Sequence, residues 1–362
     1  MRIAQIAPLA ESVPPKLYGG TERIVSYLTE ELVRQGHDVT LFASGDSVTS
    51  AELVPCAEKA LRLDPTVIDP LPHHLLMLDE VRRRAADFDL VHFHVDLLHY
   101  PMMGEHARHT LTTLHGRLDL KDSHPLYAAF TEFPLVSISD HQRRPMPPVT
   151  WAGTVHHGLP LDVLGFSPLN TSGYLAFLGR ISPEKRPDRA IRIAEACGLP
   201  LKMAAKIDKA DAAYWEEVIE PMVRASPRVE FIGEIDEREK ARFLGDALAL
   251  VFPIDWPEPF GLVMIEAMAC GTPVLAFGCG SVPEIIEPGV TGAVVHDLDQ
   301  AVAAMPGLLG LDRARIRETF ETRFSATRMA DDYVELYRRH ARSLDRGATG
   351  HRRVAPRLAL GV

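Results

Sequence analysis

Two carboxylates, Glu258 and Glu266, stand with seven residues between them in the run Pro257-Glu258-Pro259-Phe260-Gly261-Leu262-Val263-Met264-Ile265-Glu266-Ala267-Met268-Ala269-Cys270-Gly271. The apolar stretch from Leu262 to Ala269, stopped by Gly271, reads as a helix, so one acid precedes it and the other lies just over a turn inside. Gly261 keeps the backbone open at the helix start, where unpaired N–H groups and the positive end of the dipole favour an anion such as a diphosphate. Glu258 then lies beside whatever that diphosphate carries, and an ionised carboxylate accepts from two sugar hydroxyls at once. Glu266, one turn deeper among apolar neighbours, suits ribose hydroxyls and, as a semi-buried charge, needs a partner.

A second anion signal is Phe177-Leu178-Gly179-Arg180-Ile181-Ser182-Pro183-Glu184-Lys185-Arg186-Pro187, where Arg180 and Lys185 leave a strand end of the kind at which open α/β sheets bind ligands. Arg grips a phosphate with two parallel hydrogen bonds and Lys adds a point charge. The competing reading is a loop salt bridge to Glu184 or Asp188; beside the helix signal, the two cations read as a diphosphate clamp. In Tyr18-Gly19-Gly20-Thr21 a Gly pair precedes a helix, which lets backbone approach a ligand, though the run is not a Gly-x-Gly-x-x-Gly fingerprint. His115 ends a strand and is a candidate to contact either the donor sugar or the reacting phosphate. His92 and His94 alternate along one strand and, with Asp96, invite a metal reading, but the spacing matches no standard site; they read as lining a polar cleft, and no metal is expected. Acceptor contacts are expected from His94 and Asp96 and from the loops 96–103 and 117–126.

These residues need strand ends and helix starts to hold them. Ile3 to Pro8 reads as a strand, Gly20 to Gln35 as an amphipathic helix stopped by Gly36, and Val39 to Ala43 as the next strand. A helix at 75–86 and strands at 90–94, 110–114 and 135–138 continue the alternation, which implies a parallel sheet covered on both faces. Periodicity is lost from Trp151 to Pro168, the expected hinge, with His156 and His157 as hydrogen-bonding groups there. A second series follows: strands at 174–178, 201–205, 229–232, 249–252 and 273–276, and helices at 187–197, 238–245 and 262–269. The expected division is 1–165, 166–325, a helix at 326–341 that returns to the first domain, and a loose tail at 342–362.

At 362 residues the chain exceeds one ordinary core. An apolar fraction of 46% and a charged fraction of 24% exclude disordered and fibrous classes. A net charge of -10 argues against a nucleic-acid partner, whose affinity needs clustered cations. Four scattered cysteines without a Cys-x-x-Cys pair fit reduced thiols and a cytoplasmic location. No apolar run reaches the length of a membrane span, so any membrane contact is expected to be peripheral.

In order along the chain, Gly19-Gly20, His115-Gly116, Gly179-Arg180 with Lys185, Glu258 with Glu266, and Gly280-Ser281-Val282-Pro283-Glu284 resemble the family 4 retaining glycosyltransferases, from Ile3 to about Tyr337. The resemblance implies an α/β protein of GT-B type, two Rossmann-like doubly wound domains with the site in the cleft between them. It implies Arg180 and Lys185 on the donor phosphates, Glu258 on the donor sugar, Glu266 on the ribose, and the amides of Gly261 and Leu262, next to Phe260, on the diphosphate. Gly19 and Gly20 would meet the donor from the other side, His115 matches the family's active-site histidine, and the base would lie near Gly233 to Ile235. The implied activity is hexosyl transfer from a UDP- or GDP-sugar to a saccharide, lipid or small metabolite by a front-face route, the nucleotide sugar being co-substrate and no cofactor needed. An epimerase on the same scaffold and a silent nucleotide-sugar binder are the competing readings. The chain departs from the family pattern at Arg186, where many members have Gly, at His157-Gly158-Leu159-Pro160, and at Phe252-Pro253-Ile254-Asp255-Trp256.

Overall fold

A computed structural model describes residues 1–16, 19–169 and 172–347, with side chains to residue 342. Tyr18 and residues 348–362 of the expected tail lie outside the described residues. In chain order the first elements are β1 (Arg2–Ile6), α1 (Gly20–Arg34), β2 (Asp38–Ser44), β3 (Glu52–Ala57), α2 (Leu71–Arg84), β4 (Leu90–Phe93), β5 (Thr110–Thr113), α3 (His124–Ala129), β6 (Leu135–Ser137) and β7 (Trp151–Thr154). There follow β8 (Leu175–Arg180), α4 (Pro187–Cys197), β9 (Leu201–Lys206), α5 (Ala212–Tyr214), α6 (Glu220–Ala225), β10 (Val229–Gly233), α7 (Glu237–Gly245), β11 (Ala249–Phe252), α8 (Leu262–Ala269), β12 (Val274–Phe277), α9 (Val282–Ile285), β13 (Gly292–Val295), α10 (Leu298–Leu309), α11 (Arg313–Phe324) and α12 (Ala326–Gly347).

The chain divides into two units. The first comprises Met1–Ile138, Arg143–Val155 and the chain from Met329 onward; the second comprises Ser139–Gln142 and His156–Arg328. Among the described residues the first unit carries one parallel sheet in the order β3-β2-β1-β4-β5-β6-β7, and the second one in the order β10-β9-β8-β11-β12-β13. Each sheet is doubly wound, and its order reverses once, between β1 and β4 and between β8 and β11. Ligands of such sheets bind at the carboxyl ends of the strands flanking that reversal. In the first unit these ends carry the loop to Gly19 and the turn at His94 to Asp96; in the second they carry Arg180 to Lys185 and the loop to Glu258.

Local chemistry accounts for the supporting elements. Ile24, Val25, Leu28 and Leu32 give α1 one buried face, with Glu22 in its first turn and Arg34 in its last, as the helix dipole favours. Pro187 opens α4 and Gly198, at φ 68°, closes it. Asp236 and Glu239 form a capping box on α7, with the Asp236 carboxylate accepting from the amides of Arg238 and Glu239. The first core gathers Ile6, Phe42, Phe93, Tyr100 and Phe133, and the second Leu175, Phe177, Ile191, Val251 and Leu275, all buried. Each such side chain contributes about 2 kcal/mol by leaving water.

Several elements differ from the sequence reading. Helix α2 starts at Leu71, not 75, because Pro72 suits a first turn. Strand β7 lies inside the expected hinge; its Gly153 is small because a Cβ there would come within 3.0 Å of Leu336 on α12. Strand β3, an edge strand with Pro55 in it, and α10 and α11 are additional to the elements expected from the sequence. Helix α12 runs on to Gly347. Among the described residues no helix is long and apolar enough to cross a membrane.

Candidate active site

The centre of the second unit's site is the pair of loops leaving β8 and β11. They are stitched together: the Asp255 amide donates to the Glu184 carbonyl at 2.8 Å, and the Arg186 guanidinium reaches Asp255 at 2.8 Å and Asp188 at 2.9 Å. Arg186 has φ 53°, the left-handed region that a glycine would occupy without strain, and its two carboxylate partners hold it there. This stitching brings the Lys185 ammonium onto Glu258 Oε2. The indole N–H of Trp256 donates to the same oxygen at 3.1 Å, and the ammonium also lies 4.8 Å from the Trp256 ring centroid, in cation–π range. Glu258 is buried, and both of these bonds fall on Oε2.

The acid and the helix are fixed from behind. Gly261 caps α8 at φ 79°, and a Cβ there would meet Met264 Cε at 2.8 Å and Phe252 Cζ at 3.2 Å, so only glycine leaves the amides at the start of α8 approachable. Gly280 presses still closer, since a Cβ on it would lie 2.3 Å from the backbone N and O of Glu258. The next residue, Ser281, donates through its amide to the Glu258 carbonyl at 2.9 Å and through Oγ to the Phe260 carbonyl at 2.8 Å. The Gly280-Ser281 part of the motif thus acts as a clamp on the Glu258 loop. Its Glu284 accepts from the amides of Asp140 and His141 at 2.8 and 2.7 Å and from His156 Nε2 at 3.3 Å.

Glu266 is buried on α8 and its Oε1 accepts from Lys240 Nζ at 2.7 Å. Lys240 sits on α7, whose capping box sets its first turn next to Gly233, at φ 80°, and the half-buried Ile235. Arg180 bonds Glu184 at 3.2 Å and lies 3.6 Å from Asp208 and 3.8 Å from Asp211, so the loop salt bridge weighed from sequence is present. Leu262 and Gly261 are half-buried, whereas the Phe260 ring is buried against His157, 4.9 Å between centroids, and offers a ligand only its backbone.

In the first unit, Gly19 packs so tightly that a Cβ would meet Pro15 Cβ at 2.8 Å and Glu22 Oε2 at 3.1 Å, and Gly20 begins α1. Asp96 takes φ 50° at the turn after β4, is exposed at its surface, and accepts a hydrogen bond from the His115 amide. Desolvation nevertheless pushes its carboxyl up to about 6. His115 is half-buried beyond β5, and desolvation pushes it down to about 3. His94 is buried, and both ring nitrogens are bonded at 2.8 Å, to His115 and Gln5. His92 is also buried, with Tyr337 and Thr113 on its nitrogens, so neither imidazole lines an open surface as the alternation suggested.

The structure therefore joins Lys185 to Glu258 and leaves Glu266 and Arg180 each with partners of their own. Trp256 and Lys240 were missed from sequence. Trp256 had a signal, an aromatic two positions before the first acid; Lys240 had none, because only tertiary folding sets α7 beside α8.

Comparison with known proteins matches residues 18–145 to the family described as Glycosyltransferase Family 4 and residues 167–309 to Glycosyl transferases group 1. The D-inositol 3-phosphate glycosyltransferase of Mycobacterium marinum is 32% identical over 209 residues, covering 51% of this chain and 44% of that protein. The chain thus spans less than half the length of that curated relative. Sucrose-phosphate synthase from Thermosynechococcus elongatus superposes with a TM-score of 0.75 at 20% identity, covering 95% of this chain and 100% of that one. Anabaena Alr3699/HepE, solved in complex with UDP and glucose, gives 0.68 at 17% identity, covering 92% and 98%. At those identities the likeness speaks for the fold. With both parallel sheets accounted for and both halves matched, the chain belongs to the family 4, group 1 glycosyltransferases of GT-B fold.

Proposed function

We propose that this protein is a retaining hexosyltransferase that takes a sugar from a nucleotide diphosphate donor and passes it to an acceptor hydroxyl. The observation that carries the reading is the Lys185 ammonium on Glu258 beside the glycine-opened start of α8. A cation and a helix tip suit a diphosphate, and the carboxylate next to them suits the hydroxyls of the attached hexose. UDP is the favoured nucleotide, in keeping with the UDP-bound relative of the same fold.

On this reading the donor takes over some of the partners that these side chains now hold. Lys185 turns from Glu258 to a phosphate oxygen, Trp256 keeps Oε2, and Glu258 accepts from sugar hydroxyls. Glu266, steadied by Lys240, takes the ribose, with the base near Gly233 and Ile235. Gly19, Gly20 and His115 are further donor-site candidates in the first unit, and Asp96 is assigned to the acceptor. The bond from the anomeric carbon to the diphosphate oxygen breaks, the acceptor oxygen bonds that carbon on the same face, and its proton passes to the leaving diphosphate. Arg180, Lys185, and the amides of Gly261 and Leu262 stabilise the growing charge, about 3 to 4 kcal/mol for each well-placed donor. These groups supply the charge that a metal ion would otherwise bring. Four free thiols suit the cytoplasm as the place of action.

Glu258→Gln and Lys185→Ala are each expected to cut turnover at least about tenfold, a loss of about 1.4 kcal/mol, with an unchanged circular dichroism spectrum. Wild-type rates in both would remove them from the site. Proton NMR of the product is expected to show the donor's anomeric configuration, and an inverted linkage would defeat the front-face route. Conversion of the donor without any acceptor would favour an epimerase instead.

A further inference from the structure

Four residues between β6 and β7, Ser139–Gln142, belong to the second unit, although the strands on either side of them belong to the first. Glu284 of α9 grips this strap. Its Oε2 accepts from the Asp140 amide at 2.8 Å and its Oε1 from the His141 amide at 2.7 Å, and His156 Nε2 lies 3.3 Å from Oε2. Bonds from amides to an ionised carboxylate are stronger than those between neutral groups. Ser139 is fully buried, and its Oγ accepts from the Gln142 amide at 3.1 Å, which leaves the hydroxyl proton for the Pro259 carbonyl at 2.7 Å.

Pro259 stands between Glu258 and the start of α8, so the Ser139 bond bears directly on the candidate site. Three successive carbonyls of that loop are engaged: Glu258 by the Ser281 amide at 2.9 Å, Pro259 by the Ser139 hydroxyl, and Phe260 by Ser281 Oγ at 2.8 Å. In a trans peptide the N–H points opposite to the C=O of the same plane. Ser281 therefore aims the Gly261 N–H, and Ser139 aims the Phe260 N–H, each away from the hydroxyl that holds the carbonyl. Successive N–H groups at a left-handed turn such as Gly261, φ 79°, form a concavity that takes an anion. Ser139 thus does for the peptide between Pro259 and Phe260 what Ser281 does for the next one.

We propose that Ser139 is a positioning residue for the donor and Glu284 the support that keeps it in place: together they turn the Phe260 N–H towards the diphosphate. The diphosphate half of this statement rests on the transferase reading above; the tether between Ser139 and the Phe260 peptide does not. A serine that the chain places among the strands of the first sheet thereby completes the anion cradle of the second unit. No pattern around Glu258 announces it, since Ser139 stands 120 positions before Pro259.

The test begins with the intact protein labelled with 15N-phenylalanine and no nucleotide present, the Phe260 amide signal being assigned by its loss in Phe260→Leu. A hydrogen bond on a carbonyl polarises its peptide and shifts the nitrogen of the following residue. Ser139→Ala is therefore expected to move the Phe260 nitrogen signal, and an unmoved signal in the folded variant overturns the tether. UDP and uridine are then titrated. Ser139→Ala is expected to lose about fivefold or more in UDP affinity, while uridine, which carries no phosphate, binds within about twofold of wild type. Equal losses for both ligands, or none for UDP, would make Ser139 packing for the strap only and overturn the diphosphate assignment. Glu284→Gln leaves the hydroxyl in place but takes the charge off the two amides. It is expected to show the same selective loss to a smaller extent, and it decides the matter if Ser139→Ala does not fold. A wild type that binds no UDP would end the transferase reading and the diphosphate half with it, whereas the ligand-free spectrum still decides the tether.

Discussion

Lys240 gives Glu266 the kind of support that Lys185 gives Glu258, one buried carboxylate oxygen against one ammonium. Without that cation a carboxylate inside the fold loses its compensation and its ionised form becomes costly. Lys240→Met is therefore expected to raise the KM for the donor about tenfold, close to 1.4 kcal/mol of binding, with a smaller change in kcat. Steady-state kinetics over donor concentration check this, and an unchanged KM would leave Lys240 as scaffold only. The acids and the loop cations were legible in the sequence because each stands in a short run whose glycine, proline and apolar neighbours announce a strand end or a helix start. Lys240 was not, since it stands 26 positions before Glu266 and no local pattern marks their meeting. The buried state of His94 was equally hidden: alternation gives the face of a strand, not what covers that face.

At the scale of elements, the segment between β12 and α9 behaves as a brace. Gly280 takes φ 62° with its Cα against the Glu258 backbone, and Ser281 ties the same loop twice. Gly280→Ala adds a left-handed penalty of about 1 to 2 kcal/mol to a backbone clash that only movement of the Glu258 loop relieves. The expected outcome is a lower urea midpoint and a turnover loss well beyond the fraction unfolded. A variant as stable and as active as wild type would show that the loop tolerates displacement. The alternation of strands and helices in each half was readable because both sheets are parallel and their strands are short apolar runs between helical patterns. Strand β7 was not readable, since Trp151-Ala152-Gly153-Thr154 owes its small residues to Leu336 of a helix nearly two hundred residues later, a tertiary demand that mimics a loop.

Across the whole molecule, the two units differ in how they meet acid. In the first, desolvation pushes His92 and His115 down to about 3 and His99 well below its ordinary value. Between about pH 6.5 and 3 the unfolded chain binds protons there that the folded one refuses, so each such histidine takes away up to about 1.4 kcal/mol of stability per pH unit as pH falls. Asp96, pushed up to about 6, and Glu22, also raised by desolvation, bind protons more readily when folded and act in the opposite sense, but the histidines outnumber them. In the second unit desolvation works against Glu284, yet bonds from His156 and from the Asp140 and His141 amides hold it below the usual carboxylate range, so its contribution is lost only at lower pH. A chain retaining only Trp151, in the first unit, is expected to show its fluorescence transition at higher pH than one retaining Trp215 and Trp256, in the second. Coincident or reversed midpoints would refute this order.

The carboxylates that pin Lys185 and Lys240 also offset their charges at a distance, as the acids around Arg180 offset its own. On a protein of net charge -10, cations paired in this way offer an anion little long-range pull. On the proposed reading, arrival is left to plain diffusion and discrimination begins at touching distance, where a ligand must offer both a phosphate for the lysine and hydroxyls for the glutamate. Inorganic phosphate or a bare nucleotide meets only half of that requirement.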